Sequence, residues 1–334
     1  MNGASSDGGS PGSRARHFGA RVVAYAVGVL LIGVSVVYGV SEQALERRYA
    51  VAVQSAGGLE IPVDPALVER GRHLVTVVAQ CAYCHGPDLA GRALADDPWI
   101  GRLSASNLTR GEGGIGARFT DADWAAALRR GVNPAGRSLL LMPSAHLARL
   151  SERDLSAVVA YVRQVPAVDR VLPERRAGWL TRLVVAVGLA PDLISAEQVS
   201  GLAPVVREIP SAATSEYGEY LVALGGCRVC HRGDLAGGLH PLSLPGEPVP
   251  PDITPRGSLG RWSERDFVRA MREGRTPEGR VLDREFMPWP AFAGLSETEV
   301  EAIWQYLVGM DSIPVPAAPE ATRLARGAGS GARG

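Results

Sequence analysis

The chain has 334 residues, 46% of them hydrophobic, and its 35 basic and 35 acidic side chains leave a formal net charge of zero. That length exceeds one small domain and admits two of about 100 residues each with connectors. The neutral balance gives no electrostatic basis for a nucleic-acid partner, and since every basic side chain is Arg, any docking patch must be built from guanidinium groups.

Residues 1–21 are rich in Gly and Ser and carry Arg14, Arg16 and Arg21; they read as an N-terminal tail. Val22 to Val40 then runs without a charge, close to the roughly 20 apolar residues that cross a bilayer as a helix. A cleavable signal has a shorter apolar core and a small-residue cleavage site, and Ser41-Glu42-Gln43-Ala44 offers none. Residues 22–40 are therefore expected to be an uncleaved transmembrane anchor. A second apolar run, Trp179 to Ala190, contains Arg182 and is too short to span. It reads as a packed connector helix.

An internal repeat dominates the chain beyond the anchor. Cys81-Ala82-Tyr83-Cys84-His85 recurs as Cys227-Arg228-Val229-Cys230-His231, and Asn107-Leu108-Thr109 recurs as Asp252-Ile253-Thr254. Phe119-Thr120 and Asp123-Trp124 match Trp262-Ser263 and Asp266-Phe267; Gly131 and Gly136 match Gly274 and Gly279; Met142-Pro143 matches Met287-Pro288. The order never changes, which predicts a duplicated domain over 64–168 and 212–312. A Pro-punctuated connector occupies 169–211 and a disordered tail 313–334.

Each copy predicts a short series of helices. Thr120-x-x-Asp123 and Ser263-x-x-Asp266 are capping-box starts. The stripes Trp124, Ala127, Leu128 and Phe267, Ala270, Met271 end at Gly131 and Gly274, where a left-handed cap is expected. Last helices follow Ser151 and Ser296, each with one apolar face. Gly71 and Gly218 lie on the first helix of each copy, where a missing side chain permits close packing near Tyr161 and Tyr306. No segment alternates long enough to suggest a sheet, so the fold class expected is all-α.

C-x-x-C-H is the attachment pattern for c-type haem. The thiols of Cys81 and Cys84, and of Cys227 and Cys230, suit thioether bonds to two vinyl groups, with His85 and His231 as axial imidazoles. A shared zinc site or a redox disulfide would also use two C-x-x-C pairs, but neither explains a His directly after each pair. A thioether sulfur is a known sixth ligand. Met142 is the sole Met between Met1 and the second copy, and Met287 alone aligns with it. Met271 falls on a core stripe, and His146 is the rival to Met142. His73 and His240 have no role in this scheme. Arg137 and Arg280, beside the paired glycines, are candidate partners for haem propionates.

C-x-x-C-H followed by Gly86-Pro87, Asn107-Leu108-Thr109, Gly131 and Leu141-Met142-Pro143 resembles a class I c-type cytochrome domain. The whole arrangement is similar to membrane-anchored cytochrome subunits of bacterial alcohol, gluconate and sugar dehydrogenases, although two motifs are present rather than three. The resemblance implies two tandem cytochrome c-like domains behind one N-terminal transmembrane helix, carrying two covalently bound haem c groups. It also implies a bacterial inner-membrane, single-pass protein with haem domains in the periplasm and the N-terminal tail in the cytoplasm. The second copy departs at Arg232, where the first has Gly86, and lacks an equivalent of Pro87.

The function expected is electron carriage rather than catalysis. Single electrons would pass between a quinol-oxidising complex or periplasmic dehydrogenase and a terminal acceptor such as an oxidase. The alternatives are a dihaem peroxidase and an electron-accepting subunit of a dehydrogenase complex.

Overall fold

The structure, a computed structural model, describes residues 11–49, 61, 64–199, 208–239 and 246–310. The tail expected over 313–334 lies outside the described residues, as does His240. The first element is helix α1 (Pro11–Leu45), which begins well before the expected anchor. Its segment Phe18–Leu45 is long and apolar enough to cross a membrane, and its most apolar stretch is exposed; near the end, Ser41 is buried.

Helices α2 (Pro65–His73), α3 (Cys81–His85), α4 (Asp121–Arg130), α5 (Ser144–Leu147) and α6 (Glu152–Gln164) make up the first copy of the repeat. Strands β1 (Arg92–Asp97) and β2 (Gly101–Ala105) lie between α3 and α4. The connector supplies β3 (Arg176–Ala177), α7 (Trp179–Ala186) and α8 (Ser195–Gln198). The second copy holds α9 (Ser215–Leu224), α10 (Cys227–Cys230), α11 (Glu264–Glu273), α12 (Trp289–Phe292) and α13 (Glu297–Val308).

The all-α expectation is corrected by an antiparallel sheet in the order β1-β2-β3. Its hairpin is set by Asp97, whose carboxylate accepts from the amides of Trp99 (2.8 Å) and Ile100 (2.9 Å). Such an Asx turn closes a hairpin through one side chain and needs no period-two pattern. Strand β1 reads Arg-Ala-Leu-Ala-Asp-Asp and buries none of its residues fully, so hydrophobic alternation could not reveal it.

The contacts divide the chain into two compact units. One comprises Met1–Leu59, Cys84–Ala145 and Val165–Leu202; the other comprises Glu60–Tyr83, His146–Gln164 and Ala203–Gly334. In the first, Leu89, Leu103, Trp124, Leu128, Val132 and Ile194 form a buried core. Asn107 locks its loop: the side-chain amide donates to the Val168 carbonyl (2.8 Å), and Oδ1 accepts from the Thr109 amide (2.9 Å) and hydroxyl (2.8 Å). Asn107 and Thr109 thus serve the fold, tying this loop to the chain leaving α6.

The second unit gathers α2 and α6 with α9 and α13. Gly71 and Gly218 do what their spacing suggests. A Cβ on Gly71 would lie 1.9 Å from the Ala157 carbonyl oxygen, and one on Gly218 would lie 1.9 Å from that of Ala302. A buried polar cluster joins the two helix pairs. Arg70 is bidentate to Asp154, at 2.9 Å from both Nε and Nη2, and reaches Tyr217 (3.3 Å) and Glu299 (3.4 Å) through Nη1. Tyr220 donates to Asp154 (2.8 Å), and His73 Nε2 lies 2.8 and 3.0 Å from the Glu299 oxygens. His73, without a role in the sequence reading, is therefore a structural partner.

The two copies share their local geometry. Both α4 and α11 start with complete capping boxes, at Thr120 and Ser263, and end at Gly131 (φ 63°) and Gly274 (φ 64°). Met271 is buried, in keeping with a packing role.

Candidate cofactor sites

Each C-x-x-C-H run begins one residue after a left-handed turn, at Gln80 (φ 49°) and Gly226 (φ 67°). The reversal starts a new short helix, which places two thiols three positions apart on successive turns. Cys81, Cys84 and Cys227 are partly buried and Cys230 is exposed, and no disulfide joins any of them. Burial pushes the Cys227 thiol up to about 11 and raises Cys84 and Cys230 as well. Burial thus favours the protonated form of these three thiols. Among the described residues no group of three or more His, Cys, Asp or Glu could hold a metal ion. The zinc reading finds no support.

His85 and His231 are both buried. His85 Nδ1 lies 2.8 Å from the Ser106 carbonyl oxygen, and His231 Nδ1 lies 2.9 Å from that of Pro251. A carbonyl only accepts, so Nδ1 carries the proton in both rings and Nε2 keeps its lone pair. Burial lowers both imidazole pKa values against the opposing effect of these carbonyl bonds; for His85 the charge of Arg175 lowers it further. Both rings are neutral at pH 7, with one nitrogen presented for coordination. Among the described residues Nε2 has no hydrogen-bond partner on either ring.

The carbonyl acceptors were missed by sequence reasoning because they are backbone atoms and carry no residue signature. Position could have found them. Each lies 20 or 21 residues after its His, directly before the repeated Asn107-Leu108-Thr109 or Asp252-Ile253-Thr254 segment.

Met142 and Met287 occupy matching turns. The Met142 carbonyl accepts from the Ser144 amide (2.8 Å), and that of Met287 from Trp289 (2.7 Å), and each turn leads into a short helix. Both side chains are half-buried, and among the described residues no hydrogen bond links either Met to a histidine. The first turn is further held by the connector, since the Leu141 amide donates to the Leu193 carbonyl (3.0 Å) and that of Ser195 donates to Leu139 (3.0 Å). His146 is set elsewhere: its Nδ1 would be 3.2 Å from a Cβ on Gly226, the residue preceding Cys227. Arg137 pairs with Glu46 (2.9 Å). Arg175 has its pKa lowered by burial and by the charge of Arg137, so an anionic group beside it would relieve both.

Neutral, oriented imidazoles, adjacent partly buried thiols and a buried guanidinium near His85 fit a covalently held haem. Residues 66–162 match the sequence model of the family described as cytochrome c oxidase, cbb3-type, subunit III. The match runs from the start of α2 almost to the end of α6 and is a likeness to cytochrome c. A cytochrome c domain implies a covalently bound haem c.

The chain is similar to the cytochrome c subunit of the alcohol dehydrogenase (quinone) of Gluconobacter oxydans, at 29% identity over 75% of this chain and 56% of the relative. The fructose dehydrogenase cytochrome subunit of Gluconobacter japonicus is 28% identical over 73% of this chain and 50% of that protein. The gluconate 2-dehydrogenase cytochrome c subunit of Pantoea cypripedii is 29% identical over 73% and 59%. The chain spans little more than half the length of these curated relatives.

Proposed function

We propose that this chain is a membrane-anchored dihaem cytochrome c that relays single electrons as the cytochrome subunit of a periplasmic dehydrogenase complex, delivering them to a terminal acceptor. Two tandem domains, 64–168 and 212–312, each hold one haem c. Cys81 and Cys84 attach the first by thioether bonds, with His85 and Met142 as axial ligands. Cys227 and Cys230 attach the second, with His231 and Met287. Bound there, haem iron supplies reversible one-electron chemistry at a potential raised by thioether ligation.

The observation that carries this reading is the matched state of His85 and His231: buried, neutral, and fixed by a backbone carbonyl at Nδ1 so that Nε2 keeps its lone pair for a metal. The matching turns at Met142 and Met287 give each site a second axial candidate, which disfavours a peroxidase with an open coordination position. The apolar segment of α1 supports anchorage. Residues 22–40 then cross the inner membrane, with the tail of residues 1–21 in the cytoplasm and both haem domains in the periplasm. The names of the relatives support a dehydrogenase as electron donor, and an oxidase serves as terminal acceptor.

Spectroelectrochemical titration of the full chain in detergent tests the proposal. Two low-spin haems with sulfur ligation, inert to peroxide, are expected. A high-spin haem that turns over peroxide would overturn it in favour of an enzyme.

A further inference from the structure

The connector helix α7 packs against the end of α1 but leaves one side open. Thr181 is its one buried residue among those described. Trp179, Leu180 and Val187 are 37%, 45% and 56% exposed; with half-buried Leu183 they follow i, i+1, i+4, i+8 spacing and form one apolar stripe. The stripe continues onto the β1–β2 hairpin tip, where Trp99 is 64% and Ile100 40% exposed.

Helix and hairpin are joined through backbone. The Leu180 amide donates to the Trp99 carbonyl (2.9 Å), and the Gly178 amide (2.9 Å) and Thr181 hydroxyl (2.7 Å) donate to that of Ile100. A Cβ on Gly178 would lie 2.2 Å from the Trp99 carbonyl oxygen, so the contact requires glycine. The outcome is a firm plate with two indoles and several aliphatic side chains facing outward.

That plate is fastened to the end of the apolar helix. Arg182 donates to Glu42 (2.7 Å) and Ser41 (3.2 Å), and its guanidinium lies 4.2 Å from the Tyr38 ring centre. These partners adjoin the end of the uncharged run at Val40, which places them at the level of lipid headgroups when α1 spans. Indoles and Tyr favour that level, and Arg176, opposite Arg102 across β2 and β3, offers charge to phosphates beside it; Arg102 itself is paired with Asp96 (3.4 Å).

From this continuity we infer that the outer face of α7 and the hairpin tip Trp99–Ile100 form a second membrane contact. They lie in the headgroup–acyl boundary of the same bilayer that α1 crosses and hold the first unit against the lipid surface. The occupant is lipid. The inference rests on α1 being a membrane span.

The test is carbene photolabelling from the lipid phase. The haem-loaded full chain is reconstituted into phosphatidylethanolamine–phosphatidylglycerol vesicles, and labelled residues are located by mass spectrometry. Expected are labels on α1 and on Trp179–Val187 and Trp99–Ile100, several-fold above exposed Val171 and Val249. In the L180D/V187D variant, label on α7 is expected to fall to the level of those two while the visible spectrum and the α1 label are unchanged. Label on α1 with α7 no higher than Val171 and Val249 overturns the inference and leaves the span intact. Absence of label from α1 overturns the span and the inference together.

Discussion

Replacing Gly71 by Ala should destabilise the fold, although the change adds a good helix former to a helix interior. The added Cβ would sit 1.9 Å from the Ala157 oxygen, 2.5 Å from its carbonyl carbon and 2.9 Å from the Tyr161 Cβ. Two of these are backbone atoms of α6, so no rotamer change relieves them. Ordinary contact starts at 3.4 Å, and α2 and α6 must part by about 1.5 Å to reach it. Overpacking of this kind costs roughly 1–3 kcal/mol or more, and a backbone obstacle puts Gly71 at the upper end. The gain in helix propensity returns about 1 kcal/mol. A net loss of about 2 kcal/mol is expected, read as a lower urea midpoint by circular dichroism of the full chain. Gly218→Ala should behave alike, because its Cβ would meet Ala302 and Tyr306 at 1.9 and 2.8 Å. Gly233→Ala, with nothing within 4 Å, is the control. A Gly71→Ala midpoint equal to that of Gly233→Ala would refute the close-packing argument.

Two further outcomes rest on particular residues. Arg232 holds φ 68° where the first copy has Gly86 at φ 78°; a side chain there costs roughly 1–2 kcal/mol, so Arg232→Gly should stabilise the second copy by about 1 kcal/mol in urea unfolding, and a loss of stability would contradict this. Burial alone pushes the Glu299 carboxyl up, but hydrogen bonds from His73 and the Ser296 amide, with the charges of His73 and Arg70, bring it down to about 2. A folded pKa below the unfolded one gives stability that is complete above pH 4.5 and lost as pH falls toward 2, amounting to about 3 kcal/mol. The stability gap between the wild type and Glu299→Gln, measured from pH 7 to 3, should therefore narrow on acidification; a constant gap would show that Glu299 acts by packing alone.

What the sequence disclosed were the features written in local chemistry. The capping boxes at Thr120 and Ser263, the left-handed glycines 131 and 274 and the close approach at Gly71 each depend on residues a turn or so apart, or on a missing side chain, and they recur in both copies. The attachment motifs are local in the same way. The features that escaped are non-local or made of backbone. Asp154, Tyr217 and Glu299 lie 84, 147 and 229 positions from Arg70, and no periodicity links them. The carbonyls of Ser106 and Pro251 that orient the two imidazoles have no side-chain signature. The hairpin at Asp97 rests on one Asx turn, and the open side of the connector helix from Trp179 escaped because composition does not say which side of a packed helix stays exposed. Arg137, read as a propionate partner, also reaches Glu46 91 positions away, a contact the local pattern could not show.

The central claim is that each C-x-x-C-H motif holds its own haem, and haem per polypeptide by pyridine haemochrome measures it directly. The account predicts two haems in the wild type and one in each of Cys81→Ala/Cys84→Ala and Cys227→Ala/Cys230→Ala, the remaining haem retaining its ferric sulfur-to-iron absorption. One haem in the wild type, lost entirely in either double variant, would contradict it and mean that the two motifs serve a single site.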